Sequence, residues 1–431
     1  MMLRELTIAD LTELTTPIDD DAYQIAQRIF DDVADRGEAA VREYAMKWDQ
    51  LPEDGQLIYD RAELEHALNR IDEDRRAVLE RTAERIRNFA QSQRDSFQDI
   101  EVPIPGGVAG HRWFPLQSAG CYAPGGNYPL PSSVLMTVVT ARVAGVEEVW
   151  VASPNPGATT LAAAAIANAD GVLAVGGAQA IAALGFGIPG MLPACDLICG
   201  PGNKYVTAAK AIVSRTKRID MLAGPSELVV VAGYDADPEL VAADLLAQAE
   251  HDCDARPILI TNSADLLAGV QQEIERQLDD LPTAEIATHA IRAGGYLLVD
   301  CLEQAVDCCR KIAPEHLSLQ GSEFESAAEQ FQFGAALFIG GNTPEVFGDY
   351  GAGPNHVLPT GGSASRNSGL SVFDCMRFQT QLRIDCLDAA SQLAQDAQQL
   401  GQLEGLHAHA RSSALRIRKK KTENSSVAKT A

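Results

Sequence analysis

The sequence lacks several features that define large classes of protein. None of its apolar runs approaches the roughly 18 uninterrupted residues that a membrane-spanning helix requires. Residues 1–14, MMLRELTIADLTEL, carry a charge every few positions and no apolar stretch, so a signal peptide is not predicted. Basic residues are also few, since 35 Lys and Arg stand against 59 Asp and Glu, for a formal net charge of −24. Such a surface repels nucleic acid and anionic membranes, and we expect neither as a partner.

The nine cysteines form no pattern of disulfide or metal-binding pairs. Cys195 and Cys199 have C-x3-C spacing, but no second pair accompanies them. A chain of 431 residues, 46% of them hydrophobic, can bury a large core without a disulfide or a metal. We therefore expect reduced thiols and a cytoplasmic protein.

Two series of alternating strands and helices occupy the middle of the chain. Residues 18–100 predict helices, because their apolar residues recur at helical spacing. From about Gln117, short apolar runs alternate with Ala-rich helical segments, and a second such series begins at Glu227. This βαβα order predicts an α/β fold with parallel sheets and helices on both faces.

The C-terminal part of the chain has a different composition. A passage rich in Gly, Ser and Asn follows Gly351, and helical patterns then cover about 385–399 and 402–415. From Arg416 the sequence RIRKKKTENSSVAKTA is polar and free of aromatic residues, which predicts a disordered tail. A nucleic-acid-binding or targeting arm is the alternative interpretation.

The helix predicted over 238–250 carries an amide and an imidazole near its end. Asp244, Gln248 and His251 are spaced i, i+4, i+7 and share one face of the helix. A solvated polar face explains this pattern most simply, whereas a pair of ligands at the helix end is the functional alternative. The spacing alone does not decide between them.

Two loop motifs place acids beside histidines. In APEHLSL, Pro314 ends a helix, so Glu315 and His316 fall at the start of a strand, where the pair has the chemistry of a general base. In FGDYGAGPNHVLPTGG, glycines and prolines fix the loop that carries Asp349 and His356. Read in isolation, the first motif is better explained by a surface turn with two exposed polar residues.

A third cluster lies near the end of the chain. In QLEGLHAHARS, Glu404, His407 and His409 fall within six residues. A charged terminal helix explains them as ordinary surface, and donation of ligands is the alternative.

Glycine-rich turns follow three of the predicted strands. YAPGG, VGGAQA and CGPGNKY each place glycines at a strand-to-helix junction, where the backbone can approach a ligand closely. None of them is G-x-G-x-x-G, so the usual dinucleotide fingerprint is absent and tight turns explain the glycines nearly as well.

Taken together, these motifs resemble those of one known family. VGGAQAIAALGFG, GPGNKYV, IDMLAGPSELVV, DLLAQAEHD, APEHL, GDYGAGPNHVLPT and LEGLHAH occur in this order and are similar to histidinol dehydrogenase, the zinc enzyme that ends histidine biosynthesis. The similarity extends from the N-terminal helices to about Arg411. Several separated motifs in order are far more specific than any one of them.

The resemblance implies an intertwined homodimer of α/β subunits. Each subunit would contain two incomplete Rossmann-like parallel-sheet domains and small helical terminal domains. The domain boundaries that it implies are 15–121 with 227–370 for a discontinuous domain carrying most metal and catalytic residues, 122–226 for the NAD-binding domain, 1–14 with 371–400 for a small swapped domain, 401–416 for a C-terminal helical segment and 417–431 for the tail.

The resemblance also implies a zinc site and a pair of catalytic residues. The zinc ligands carried over are Gln248, His251, Asp349 and His409, the last in an active site shared between two chains. Imidazole and oxygen donors suit zinc, and none of the nine cysteines is needed. His316 would be the general base, and Glu315 would activate the water that attacks the aldehyde.

The implied reaction oxidises L-histidinol to histidinal and then to L-histidine, with two NAD used in turn. The implied substrate contacts are Ser226, Gln248, His251, His316, Asp349, Glu404 and His409. The implied NAD contacts are Tyr122, Gln179 and Asn203, which belong to the glycine-rich turns.

Three alternatives remain open from the sequence. Relatives with the same zinc and catalytic motifs oxidise other small amino or sulfonated alcohols, although a carboxylate at Glu404 suits a basic imidazole and repels a sulfonate. The same ligand set with Glu315 as base would also serve a zinc hydrolase. An inactive relative acting as a binding protein is the third, and the retention of every motif residue argues against it.

Overall fold

The computed structural model describes residues 3–7, 9–11, 18–125 and 129–416. The chain divides into a first unit, Met1–Arg94 with Pro115–Cys375, and a second unit, Asp95–Phe114 with Met376–Ala431. The helices are α1 (Asp20–Arg36), α2 (Glu38–Trp48), α3 (Arg61–Leu68), α4 (Glu73–Asp95), α5 (Pro131–Ala144), α6 (Ala158–Ile166), α7 (Gly177–Phe186), α8 (Lys204–Val213), α9 (Pro238–Ala249), α10 (Ala264–Leu278), α11 (Ala284–Ala293), α12 (Leu302–Ile312), α13 (Ser322–Ser326), α14 (Glu345–Asp349) and α15 (Ser391–Leu403). The strands are β1 (Ile58–Asp60), β2 (Ile100–Ile104), β3 (Gly107–Pro115), β4 (Ser118–Tyr122), β5 (Glu148–Ala152), β6 (Gly171–Leu173), β7 (Leu197–Cys199), β8 (Arg218–Ile219), β9 (Glu227–Ala232), β10 (Arg256–Thr261), β11 (Gly295–Leu298), β12 (His316–Gln320), β13 (Ala336–Ile339) and β14 (Met376–Ile384).

The first unit contains two sheets, and the predicted α/β fold with parallel strands is confirmed. We call the part of this unit up to β8 the first block and the part from β9 onward the second block. The sheet of the first block has the order β1-β6-β5-β4-β7-β8, in which β1 is antiparallel to its neighbour and the other strands are parallel. The sheet of the second block is parallel throughout, in the order β11-β10-β9-β12-β13. The central strands β4, β9 and β12 are buried along their whole length, because helices cover both faces of each sheet.

The N-terminal helices pack on the first block. Ile29, Val33 and Val41 share a buried cluster with Ile181 and Val206, which lie on α7 and α8. The apolar stripe of α1 is covered in this way, and β1 extends the same sheet beside β6. The predicted domain boundaries, among them 15–121 with 227–370, stay a prediction.

The second unit contains a small sheet that the helical patterns did not predict. Its strand order is β14-β3-β2, and Trp113 and Phe378 pack edge to face with ring centroids 5.4 Å apart. The helical patterns predicted at about 385–399 and 402–415 correspond to α15 and to helical residues 407–416. The predicted disordered tail, 417–431, lies outside the described residues. In the described part of the chain, no helix combines the length and the apolar character that crossing a membrane demands.

Candidate active site

Glu315 and His316 lie at the amino end of the second sheet, at the start of β12. Ala313 caps α12 in the left-handed conformation, φ 44°, and Pro314 then leads the chain directly into the strand. Both side chains are buried, with exposed fractions of 6% for Glu315 and 4% for His316. The predicted position at a strand start is confirmed, but the exposed-turn interpretation is wrong because neighbouring strands cover the pair.

The peptide groups of Glu227, the first residue of β9, hold both of these side chains. The Glu227 N–H donates to Glu315 Oε2 over 2.9 Å, and His316 Nδ1 lies 3.1 Å from the Glu227 carbonyl oxygen. A carbonyl only accepts, so Nδ1 carries the hydrogen of the neutral ring and Nε2 keeps a free lone pair. Burial lowers the pKa of His316, which favours this neutral form.

Burial has the opposite effect on the neighbouring carboxyl groups. It raises the pKa of Glu315 well above the usual range, with the nearby Glu227, Asp349 and Glu345 adding to the shift. It also raises the pKa of Glu227 to about 7. The site therefore concentrates acid groups whose charge requires a cation or a hydrogen-bond donor to stabilise it.

Asp349, at the end of α14, connects the two histidines. Its Oδ2 lies 3.5 Å from His251 Nε2 and its Oδ1 lies 3.7 Å from His316 Nε2. Burial alone would raise the pKa of Asp349, but the His251 hydrogen bond and the nearby imidazoles lower it overall. The hydrogen bond to Asp349 in turn raises the pKa of His251.

His356 connects this site to the first block. Its Nδ1 lies 2.8 Å from the Asp349 carbonyl oxygen, and its Nε2 lies 3.4 Å from Ser133 Oγ on α5. The neighbouring Asn355 donates its side-chain amide to the Met136 carbonyl over 2.9 Å. The glycine-rich loop is thus fixed against a helix of the other block. The prediction that Asp349 lies in this loop is wrong, because a short helix, α14, begins after Pro344 and ends at Asp349.

His251, Glu345 and Asp349 place possible ligand atoms within 4.8 Å of one another. Gln248 is fully buried on α9, three residues before His251, and both polar atoms of its amide have no hydrogen-bond partner among the described residues. Both carboxyl oxygens of Glu345 are likewise unpartnered in the described part of the chain, although the residue is only 1% exposed. Buried polar atoms are normally satisfied, and this donor set of imidazole, carboxylate and amide fits a zinc ion.

Glu345 is the functional candidate that the motifs did not single out. Its only sequence signal is its position four residues before Asp349, which places both carboxylates on one face of α14. Burial raises the pKa of Glu345 well above its ordinary range.

Ser226, Glu404 and His409 are the remaining predicted substrate or metal contacts. Ser226 is half-buried directly before β9, and its carbonyl accepts the Arg256 N–H over 3.0 Å. Glu404 caps α15 and His409 lies in the helical segment 407–416 of the second unit, where both side chains are exposed. The roles of all three stay predictions.

The three predicted cofactor residues lie at the carboxyl edge of the first sheet. Tyr122 ends β4 and its hydroxyl accepts the Gly177 N–H over 3.1 Å, while Asn203 caps α8 by accepting the Tyr205 N–H over 3.1 Å. Gln179 lies in the first turn of α7 and is 2% exposed. The strand order reverses between β4 and β7, and the crevice at such a point commonly binds a nucleotide.

Comparisons with known proteins agree on one family. A family model described as histidinol dehydrogenase matches residues 15–417. The chain is 43% identical to the histidinol dehydrogenase of Rhodopseudomonas palustris, over 92% of this chain and 93% of that protein. It is 44% identical to the enzyme of Thermus thermophilus, over 91% of this chain and 94% of that protein. The crystal structure of histidinol dehydrogenase from Elizabethkingia anophelis has a TM-score of 0.89 at 29% identity, and the match covers 97% of this chain and 98% of that one.

Proposed function

The chain belongs to the histidinol dehydrogenase family, and on that premise we propose that it oxidises L-histidinol through histidinal to L-histidine, with two NAD used in turn. The observation that carries the proposal is the position of His316, a buried imidazole whose Nε2 is free and faces Asp349. A neutral imidazole held in one tautomer is the group that removal of an alcohol proton requires.

A zinc ion would be held by Gln248, His251 and Asp349, with His409 from the second subunit of a homodimer. Zinc, when bound, supplies a positive charge and an anchor for the amine and imidazole nitrogens of the substrate. The unpartnered amide of Gln248 and the close approach of His251 to Asp349 support this assignment. The oxygens of Glu345 lie within reach of the same position, so this residue is a further candidate ligand.

His316 accepts the hydroxyl proton of the substrate at Nε2 in the first oxidation. Its Nδ1 stays bonded to the Glu227 carbonyl, so the ring does not rotate as the proton moves. Glu315 accepts a proton from the water that adds to the aldehyde before the second oxidation. Its own hydrogen bond from the Glu227 N–H stabilises the carboxylate form that this step needs.

NAD would bind at the carboxyl edge of the first sheet, beside Tyr122, Gln179 and Asn203. NAD, when bound, accepts the hydride of each oxidation. His356 and Ser133 connect this block to the catalytic residues, which supports one cleft serving both sites of the first unit.

Ser226 and Glu404 complete the proposed substrate contacts, with Glu404 and His409 contributed by the partner chain of the homodimer. The exposure of both C-terminal side chains is compatible with that role. A carboxylate at Glu404 matches the basic imidazole of histidinol. The nine cysteines are all free thiols, which supports our proposal of a cytoplasmic enzyme.

The test is the formation of NADH from L-histidinol with the purified protein. We expect two NADH and one L-histidine per L-histidinol consumed. NADH formation with another small amino alcohol or a sulfonated diol but not with L-histidinol would contradict the substrate, and hydrolysis without NADH would contradict the reaction class.

A further inference from the structure

Asp49 joins the N-terminal helices to the first turn of α7. It caps the end of α2, and its Oδ2 accepts two hydrogen bonds from that turn. The Gly176 N–H donates over 2.9 Å and the Gln179 side-chain amide donates over 3.2 Å. The carboxylate thus contacts a glycine turn of the proposed cofactor cleft that lies 127 residues later in the sequence.

The turn leaves little room for anything but this carboxylate. Gly176 caps α7 without a side chain of its own, and a Cβ there would lie 2.9 Å from Asp49 Oδ1 and 2.8 Å from the Pro154 ring. Gly177 adopts a positive φ of 63°, which few residues other than glycine tolerate. Its N–H donates to the Tyr122 hydroxyl. The side chains of Asp49 and Tyr122 therefore accept hydrogen bonds from the first two N–H groups of the turn.

This arrangement has two chemical consequences. A helix N-terminus commonly binds the phosphate of a nucleotide, but here Asp49 already supplies the negative charge. A carboxylate only accepts hydrogen bonds, so Asp49 also fixes the amide of Gln179 with its nitrogen toward Asp49. The Gln179 oxygen then faces Gly177, where it lies 2.9 Å from the position of an added Cβ.

We propose that Asp49 is a positioning residue for the cofactor, which acts through Gln179 and the Gly176–Gly177 turn to hold the wall of the cleft that Tyr122 also lines. The inference rests on the proposed function, since it assumes that NAD binds at this edge of the first sheet. Asp49 does not touch the reacting atoms. Its loss changes cofactor binding and leaves the proton transfers at Glu315 and His316 intact.

The experiment measures NAD binding by isothermal titration calorimetry in the absence of L-histidinol. Asp49→Ala removes both hydrogen bonds, and we expect the Kd for NAD to rise about tenfold, the effect of losing bonds to a charged acceptor. Asp49→Asn keeps the shape and one acceptor oxygen without the charge, and we expect a rise of about threefold. Asp54→Ala removes an exposed carboxylate nearby in sequence and serves as the matched control, with an unchanged Kd.

Turnover and a double variant separate positioning from a general loss of structure. We expect the KM for NAD to follow the Kd, while kcat and the KM for L-histidinol stay at the wild-type values. Gln179→Ala weakens NAD binding, and adding Asp49→Ala to it has less effect than in the wild type, because one of the two interactions is already gone.

An Asp49→Ala protein that folds and binds NAD as the wild type does would overturn the inference. If that variant does not fold, Asp49→Asn decides in the same way, since an unchanged Kd overturns the inference and a raised Kd supports it. A wild-type protein that binds no NAD contradicts the proposed function itself. Normal binding by the wild type and by both Asp49 variants contradicts only the role of Asp49.

Discussion

The two blocks of the first unit have the same strand order but carry their candidate site residues at opposite edges. In each block the sheet runs third, second, first, fourth, fifth strand, apart from β1 at one edge. The first block presents Tyr122, Gln179 and Asn203 at the carboxyl ends of its strands. The second block places His316 and Glu227 at the amino ends of β12 and β9. A shared topology therefore does not determine which edge of a sheet becomes a site.

At the carboxyl edge of the second sheet, the turns after β9 and β12 are hydrogen-bonded to each other. The Gly233 N–H donates to the Gln320 carbonyl over 2.9 Å, and the Ser322 N–H donates to Asp235 over 3.1 Å. Phe324 then packs fully buried beneath this turn. At the amino edge, α9 ends before the start of β10, and His251, which follows this helix, lies 3.5 Å from the same Asp349 carboxylate that His316 faces.

The two blocks also differ in how their buried acids are compensated. In the first block Asp220 forms an ion pair with the buried Lys210, which also donates to the Gly200 carbonyl over 2.9 Å. In the second block Glu345 has no hydrogen-bond partner among the described residues. The buried Asp220 of the first block is thus paired with a lysine, whereas a cation would be needed to stabilise a charged Glu345 in the second block.

The largest effect we predict is the loss of turnover in His316→Asn. Removing a general base costs about 10³-fold in rate, and the loss should affect oxidation of both histidinol and histidinal. Stopped-flow measurement of NADH with each substrate checks this, with the thermal midpoint as a control for folding. Wild-type rates in a folded variant would show that the amino edge of the second block takes no part in catalysis.

A pair of stability measurements sharpens the electrostatic comparison. Lys210→Met leaves Asp220 buried without its partner, so the free energy of unfolding should fall by about 3–5 kcal/mol. Glu345→Gln removes a buried acid that has no hydrogen-bond partner among the described residues, so the metal-free protein should lose no stability. Urea unfolding monitored by circular dichroism compares the two. Equal losses would show that the two blocks do not differ in this respect.

A smaller and selective effect is expected for Glu315→Gln. The amide keeps an acceptor for the Glu227 N–H but cannot take a proton from water, so histidinal oxidation should slow by about 10²-fold. Histidinol oxidation to histidinal should change much less. Single-turnover rates with the two substrates test the division of roles, which equal damage to both steps would contradict.

The smallest effect we predict is the partial recovery of activity when two inactive variants are mixed, which tests whether two chains share each active site. A mixed dimer of His251→Ala and His409→Ala chains would contain one doubly damaged site and one intact site, so about half of the wild-type activity should return per mixed dimer. Activity is measured after subunit exchange has been demonstrated. No recovery would place His409 in the site of its own chain or outside any site.

The sequence predicted those parts of the structure that depend on local patterns. The strands of both blocks are short apolar runs bounded by glycine turns, and Pro314 marked the start of β12. By contrast, β14 was not predicted, although Met376, Phe378, Leu382 and Ile384 alternate with polar residues, and all but the first and last of its residues are exposed in the described structure. β1 is only three residues long and pairs with a strand more than a hundred residues later.

The site could be predicted only in part for a similar reason. His251, Asp349 and the Glu315–His316 pair belong to recognisable motifs, whereas Glu345 becomes distinctive only through its burial in the folded chain. Glu227 holds the candidate catalytic pair with its peptide groups, which every residue possesses, so no sequence pattern indicates this contact. The Asp49 contact with α7 depends on the packing of α2, which helical periodicity does not predict.

The most direct test of the difference between the blocks is removal of metal from the purified enzyme with a chelator, followed by addition of zinc. The core of the first unit is large enough to fold without an ion, whereas a bound cation would interact with Glu345 and Gln248 of the second block, which have no hydrogen-bond partner among the described residues. We predict that NADH formation from L-histidinol is lost on chelation, that the circular dichroism spectrum stays native and that zinc restores the activity. Full activity in the metal-free protein, or global unfolding on chelation, would contradict this account.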